Sequence, residues 1–346
     1  SAAAQASAGD LAAARLSAQN ALIVNYFSLR VSDQRRKLLE ESVAAYARSM
    51  QIVANQVDAG VVSRVDLVQA QTLYEQTRAQ LVNEGIARAQ FEHAIAALIG
   101  RQPAEIAVGV SPPPQTVPTI DAGVPSALLE RRPDIAAAER QMAAANAQIG
   151  VAVAAYYPDL TLGASIGFSS TFIGPLLSLA NAVWAVGPQL AATVIDGGAR
   201  GAQVEAAKAN FDRTVALYRQ TVLVAFQQVE DQLVQQRILE QEEQVRRAAV
   251  AVAREGERLA FNQYRAGTVP YTTVLQTQTA ALTAELNLLT VRLNRLIASA
   301  NLIVALGGGW RSIDLPAPAF VPGSGSQAPP SATPAAAPTR RSWWPF

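Results

Sequence analysis

Asn55-Gln56-Val57-Asp58-Ala59-Gly60-Val61-Val62 and Asn262-Gln263-Tyr264-Arg265-Ala266-Gly267-Thr268-Val269 carry Asn, Gln, Ala, Gly and Val in one register, 207 residues apart. The register continues downstream without a gap, pairing Gln69 with Gln276, Gln71 with Gln278, Thr72 with Thr279, Leu81 with Leu288, Arg88 with Arg295 and Gly100 with Gly307. Identities of Ala and Gln arise easily in this composition, but an ungapped match closed by Gly at both ends marks a duplicated unit. Each copy follows a strict apolar period. Leu39, Val43, Tyr46, Met50, Val53 and Val57 advance in alternating steps of four and three. Phe211, Val215, Tyr218, Val222, Ala225 and Val229 do the same, as do Leu282, Leu286, Leu289, Leu293, Leu296, Ala300 and Ile303. A period of about 3.5 residues is the seam of a coiled coil.

Gly60 and Gly267 each lie between two such stretches, where Gly lets the chain turn and Pro270 blocks simple continuation of a helix. Each copy therefore reads as a helical hairpin with its tip at the Ala-Gly step. From Gly201 to Ala266 there is no Pro and Gly256 is the only internal Gly. At 1.5 Å per residue that arm reaches roughly 100 Å. A hairpin of this length has no core of its own and must be covered by its sister copy or by other chains.

Composition removes several function classes. The 346 residues contain no Cys and one His, His93, so a structural zinc site, a disulfide framework and a thiol nucleophile are excluded. A net charge of +1 leaves no electrostatic footprint for nucleic acid. No phosphate loop, metal cluster or nucleophile and base pair is apparent, so no cofactor and no catalysis are expected. Gly197-Gly198-Ala199-Arg200-Gly201 lacks the Gly-rich dinucleotide fingerprint and reads as punctuation between a strand and a helix. The charges from Arg131 to Glu139 are accounted for by helix capping. Counted as uninterrupted runs, the best apolar stretch, Ile149 to Tyr157, is about half the roughly 20 residues of a membrane-spanning helix, which predicts no helical anchor.

Between the copies the period changes to two. Leu160, Leu162, Ala164, Ile166 and Phe168 alternate with Thr161, Gly163, Ser165, Gly167 and Ser169. From Trp184 to Ile195, Val186, Leu190, Ala192 and Val194 share one face and Gly187, Gln189, Ala191 and Thr193 the other. Two such strands suit either a tilted pair crossing a bilayer within a closed barrel or a soluble ribbon lying on helices. Tyr156, Tyr157 and Trp184 stand near strand ends, where an aromatic belt belongs. Arg101 to Pro118 reads as extended, and Ser126 as the cap of a short helix before a restart at Pro133-Asp134. Residues 316–342 read as disordered, ending on Trp343-Trp344-Pro345-Phe346.

The run from Pro125 to Leu162, PSALLERRPDIAAAERQMAAANAQIGVAVAAYYPDLTL, the Asp196-Gly197-Gly198 step into a long helix, and the duplicated Ala-Gly tip followed by Leu-Val-Gln-Ala-Gln or Val-Leu-Gln-Thr-Gln resemble the outer-membrane factor family. These are the TolC-like exit ducts of tripartite efflux pumps, here in the NodT-type branch that serves resistance-nodulation-division transporters. The resemblance spans residue 1 to about 312. It implies a mainly α fold with a β-hairpin, in which long antiparallel coiled-coil hairpins form a trimeric α-barrel and the strands join a trimeric, twelve-stranded transmembrane β-barrel. The implied division is a first tunnel hairpin at 1–100, an equatorial linker at 101–132 and a helix to the barrel at 133–157. The outer-membrane β-hairpin follows at 158–196, the second tunnel hairpin at 197–306, and an equatorial end with its tail at 307–346. Subtracting the repeat length from the strand pair puts its sister upstream of residue 1. On that reading the chain is a fragment, preceded by a signal peptide, a lipid-bearing Cys and the first β-hairpin.

The function the resemblance implies is a passive outer-membrane duct for drugs or other small solutes. Its partners would be two further copies, a periplasmic adaptor, an inner-membrane transporter and outer-membrane lipid, with no nucleic acid. A type I secretion or metal-efflux duct of the same family, and a soluble coiled-coil scaffold, are the alternatives. Gly60, Val61, Val62, Ser63, Gly267, Thr268, Val269 and Pro270 match turns that meet the adaptor. Asp66 and Tyr264 match an acid and a tyrosine that latch the two hairpins of a closed aperture, near Gln69. Thr273 and Gln276 stand where relatives often carry acids at the narrowest ring, which predicts weaker cation binding here.

Overall fold

The computed structural model describes residues 2–114, 116, 120, 131–169, 171, 179 and 182–311. The expected helix start at Ser126 and the Pro-rich tail with its terminal aromatics lie outside the described residues. The chain is mostly helical, with one small antiparallel hairpin. Its elements are α1 (Ala2–Asp58), α2 (Arg64–Leu98), α3 (Pro133–Ala154), β1 (Asp159–Phe168), β2 (Ala182–Ala191), α4 (Ala199–Arg265) and α5 (Tyr271–Ala305). The duplication is exact in backbone terms: α2 and α5 each run 35 residues and begin 207 positions apart. Helix α4 is continuous for 67 residues, and with a rise of 1.5 Å it is about 100 Å long.

Helix α1 packs on α2, α3 and α5, and α4 packs on α3 and α5. The lower half is thus a layer with α2 and α4 at its outer edges. Leu39, Tyr46 and Val53 are buried at successive heptads, and Leu282, Leu289 and Leu296 repeat the pattern on α5. Ile303 departs from the predicted seam: it is exposed, whereas Leu302 and Ala305 are buried with Val229. At that end Phe226 of α4 packs on the cluster and Arg132 donates to the Ala305 carbonyl at 2.9 Å, so a third element, not a two-helix seam, sets burial there.

Tyr271–Ala305 is long and apolar enough, by length and composition only, to cross a membrane, a test that buried core helices also pass. Its buried side chains are those that pack on its neighbours; it is the best-covered helix of the layer, and interspersed polar residues hid its apolar character from a count of uninterrupted runs.

In the hairpin, Leu160, Leu162, Ala164, Ile166 and Phe168 stand opposite Leu190, Pro188, Val186, Trp184 and Ala182, and Thr161, Gly163 and Ser165 opposite Gln189, Gly187 and Ala185. The second strand was expected over Trp184 to Ile195 but pairs only to Ala191, because its partner there is Asp159, the first residue of β1, and Pro158 before it has no N–H. The apolar face is open: Leu160, Leu162, Ile166, Trp184 and Leu190 are all exposed. Below it, Asp196 accepts from the N–H groups of Gly198 and Arg200, both at 3.0 Å, and Gly198 enters α4 at φ +90°. Gly197-Gly198 is therefore strand-to-helix punctuation.

Far from the tips, repeat-related ion pairs fix the helices. Arg88 donates to Asp33 at 2.8 Å, and their counterparts 207 residues on, Arg295 and Glu240, pair at 3.4 Å. In the first copy Glu92 joins at 3.0 Å, and Arg88 and Arg30 also donate to the carbonyls of Val108 and Gly109, strapping the linker to the hairpin. In the second copy the buried Glu243 accepts from Arg247, Arg292 and Arg295.

Candidate functional site

Both tips are closed by the same hydrogen bonds. The N–H of Val61 donates to Gln56 O at 2.8 Å and that of Gly60 to Val57 O at 2.9 Å; in the second copy Thr268 donates to Gln263 O at 3.0 Å and Gly267 to Tyr264 O at 2.9 Å. This double closure needs a left-handed residue, and Gly60 and Gly267 supply it at φ +71° and +73°. The restarts differ. Ser63 caps α2, its Oγ accepting from Val65 N at 3.1 Å while Ser63 N donates to Asp66 at 3.3 Å. Pro270 holds the equivalent place on α5 without a side-chain cap. Gly60, Val61, Ser63, Gly267, Thr268 and Pro270 are exposed, and Val61 is 70% accessible. Val62 and Val269 turn inward onto a shared core.

That core joins the two hairpins. Val53, Ala70, Tyr264, Tyr271 and Val274 are buried together, and the rings of Tyr264 and Tyr271 meet edge to face at 5.1 Å. Two of its tyrosines, and Tyr46 in the neighbouring cluster with Leu39 and Leu282, carry polar links between the hairpins. The Tyr264 hydroxyl donates to Gln56 Oε1 at 2.6 Å, the Tyr46 hydroxyl donates to the Gln278 carbonyl at 3.1 Å, and the Tyr271 hydroxyl lies 3.4 Å from Ser49 Oγ. Burial pushes the Tyr264 phenol up to about 12, with the Asp66 charge adding to it. Asp66 is thus near enough to be felt, but its carboxylate is bonded to the backbone of Ser63, and Gln56 takes the phenol. The Asp66 to Tyr264 hydrogen bond expected by resemblance is not formed in this chain.

Ser49 and Tyr271 have no place in the sequence reading, Gln56 and Gln278 enter it only as repeat-matched positions, and Tyr46 only as an apolar seam residue. The available signal was the phenol itself: a buried tyrosine seeks a partner for its hydroxyl. Of the other candidates, Gln69 is half-buried on α2, Thr273 is half-buried on α5 and Gln276 is exposed on α5. Gln276 lines an open groove with Thr279, Thr283, Asn287 and Arg246, whose only charge is that arginine.

The family model for outer membrane efflux proteins matches residues 1–101 and 124–308. The chain is 33% identical over 302 residues to the antibiotic efflux pump outer membrane protein ArpC of Pseudomonas putida, covering 86% of this chain and 62% of the relative. The same identity and coverage hold for the toluene efflux pump outer membrane protein TtgC of Pseudomonas putida. A crystal structure of a membrane protein from Pseudomonas aeruginosa superposes with a TM-score of 0.80 at 31% identity, over 88% of this chain and 69% of that one. The chain therefore spans about 62% of the length of these curated relatives. By sequence and by fold, it belongs to the outer membrane efflux protein family.

Proposed function

We propose that this chain is part of one subunit of a trimeric outer-membrane exit duct, which passes small solutes outward from an inner-membrane resistance-nodulation-division transporter through a periplasmic adaptor. The observation that carries the reading is an unpartnered seam at the edge of the helical layer. Ile238, Val245, Val252 and Leu259 recur every seven residues on α4 with accessibilities of 55, 68, 73 and 45%. The opposite edge, α2, exposes Val65, Val68, Val82 and Ile86. A seam left bare on one edge and an apolar set on the other suit a ring of copies, each covering the next. The apolar face of the β-hairpin faces lipid in the same assembly, with Tyr156 and Tyr157 near one end and Trp184 near the other.

In such a ring the exposed tips meet the adaptor, and Gln69, Thr273 and Gln276 border the narrow end. The duct itself does no chemistry. It supplies a water-filled path, and the transporter supplies the work and most of the substrate selection. The relatives' names span an antibiotic and toluene, which suits a duct indifferent to chemical class. Crosslinking and carbonate-washed membrane fractions of the full-length protein test this. A trimer retained in the outer membrane that conducts ions in a planar bilayer supports it; a monomer released by carbonate, with no conductance, refutes it.

A further inference from the structure

The two charge clusters that share the repeat register differ in balance. In the first copy Arg30 and Arg88 face Asp33 and Glu92, two cations against two anions. In the second, three guanidiniums converge on the single buried carboxylate of Glu243. Arg247 donates through Nε at 3.0 Å, Arg292 through Nε at 3.1 Å and Arg295 through Nη1 at 2.5 Å. Glu240 also reaches Arg295 at 3.4 Å; its side chain is 60% accessible and that of Arg247 56%, so the two solvated groups offset each other and the more covered balance is Arg292 and Arg295 against Glu243. The sequence explains the asymmetry: Glu92 corresponds to Ser299, and Glu243 stands where the first copy has the exposed Arg36.

Beside this cluster lies a cavity of about 340 Å³ bounded by Gln34, Pro113, Pro114, Arg247, Arg292 and Arg295. Each guanidinium offers about five N–H donors, whereas a carboxylate has about four acceptor sites, so Glu243 cannot take them all. The proline walls offer no N–H, so the polarity of the cavity is set by the three arginines, the Glu243 carboxylate they share, Gln34 and Thr116. Surplus positive charge beside a low-dielectric wall attracts an anion more strongly than the same charge in open water. Burial pushes the Glu243 carboxyl up, but the three arginines outweigh it and hold it down at about 2, so Glu243 remains a fixed anion in competition with any incoming one.

We propose that this cavity, where α1, α4, α5 and the linker meet, binds a small oxyanion of the phosphate or sulfate class through Arg247 and Arg292, with Arg295 anchored on Glu243. The site is independent of the duct reading and lies away from the tips. The test uses the full-length protein in detergent micelles, titrated with potassium phosphate against potassium chloride at matched ionic strength, and read by calorimetry and by the thermal midpoint. Wild type shows saturable phosphate binding beyond chloride. Arg292→Gln and Arg247→Gln each weaken it on the order of tenfold, as loss of a hydrogen bond to a charged group does. Glu243→Gln lowers the midpoint without anion, binds phosphate more tightly than wild type, and regains stability when phosphate is added. A phosphate response equal to chloride, unchanged affinity in both arginine variants, or no tightening in Glu243→Gln overturns the proposal.

Discussion

Tyr264 and Gln56 lie 208 positions apart, on different hairpins, and their 2.6 Å hydrogen bond ties the tips together. Tyr264→Phe keeps the ring in its cluster and removes only the hydroxyl, so the expected loss is about 1 kcal/mol. That makes local opening about fivefold more frequent, read as faster amide exchange at 59–63 and 266–269. Gln56→Ala should give a similar change, and the double variant little more than either, because both remove one interaction. Glu243 makes a pH prediction. Its carboxyl is held at about 2, against an ordinary 4.5, so the folded state binds its proton less readily than the unfolded chain does. The stability it contributes is fully present above about 4.5 and is lost as pH falls through about 2. Thermal midpoints measured across that window should fall more steeply for wild type than for Glu243→Gln.

At the scale of the element, the bare stripe on α4 is the seam that the proposed ring would cover. Val245→Asp puts a charge in the middle of a seam while leaving the helix's own hydrogen bonds intact. Burying an unpaired carboxylate there should cost roughly 3 kcal/mol or more per interface, so sedimentation should find a helical monomer in place of the proposed wild-type trimer. The hairpins were legible in the sequence because each boundary is written locally: a seam of strict period, then a Gly in the left-handed closure, then a restart. The end of β2 was not, because Ala192 and Val194 continue the alternation past the point where β1 has any backbone to offer. Ile303 failed for a related reason, since burial near Ala305 is imposed by Arg132 and α4, which no period on α5 can announce. At the tip, the glycines were readable from sequence, but the phenol's acceptor was not. Asp66 and Gln56 are both within reach of a sequence argument, and only folding shows that the carboxylate is already spent on its own helix cap.

For the whole molecule, the second copy brings neutral groups to the proposed narrow end, and the acid of the first copy, Asp66, is engaged by the backbone N–H of Ser63. Thr273 occupies the place that Asp66 holds in the first copy, and Gln276 matches Gln69. Three copies of Gln276 would meet around the axis as amides, which close an opening by size and mutual hydrogen bonding but set up no cation-attracting field. A ring of three carboxylates would instead concentrate multivalent cations and let them plug the pore. The full-length trimer in a planar bilayer should therefore keep its conductance in submillimolar trivalent cation, and Gln276→Asp should make it susceptible to block. Blockade should weaken as salt is raised from about 0.1 M to about 1 M, because the screening length shrinks from about 10 Å to about 3 Å. If wild type is blocked as strongly as Gln276→Asp, the cation must be held by some other group, and Asp66, the acid among the aperture candidates, is the one to replace next.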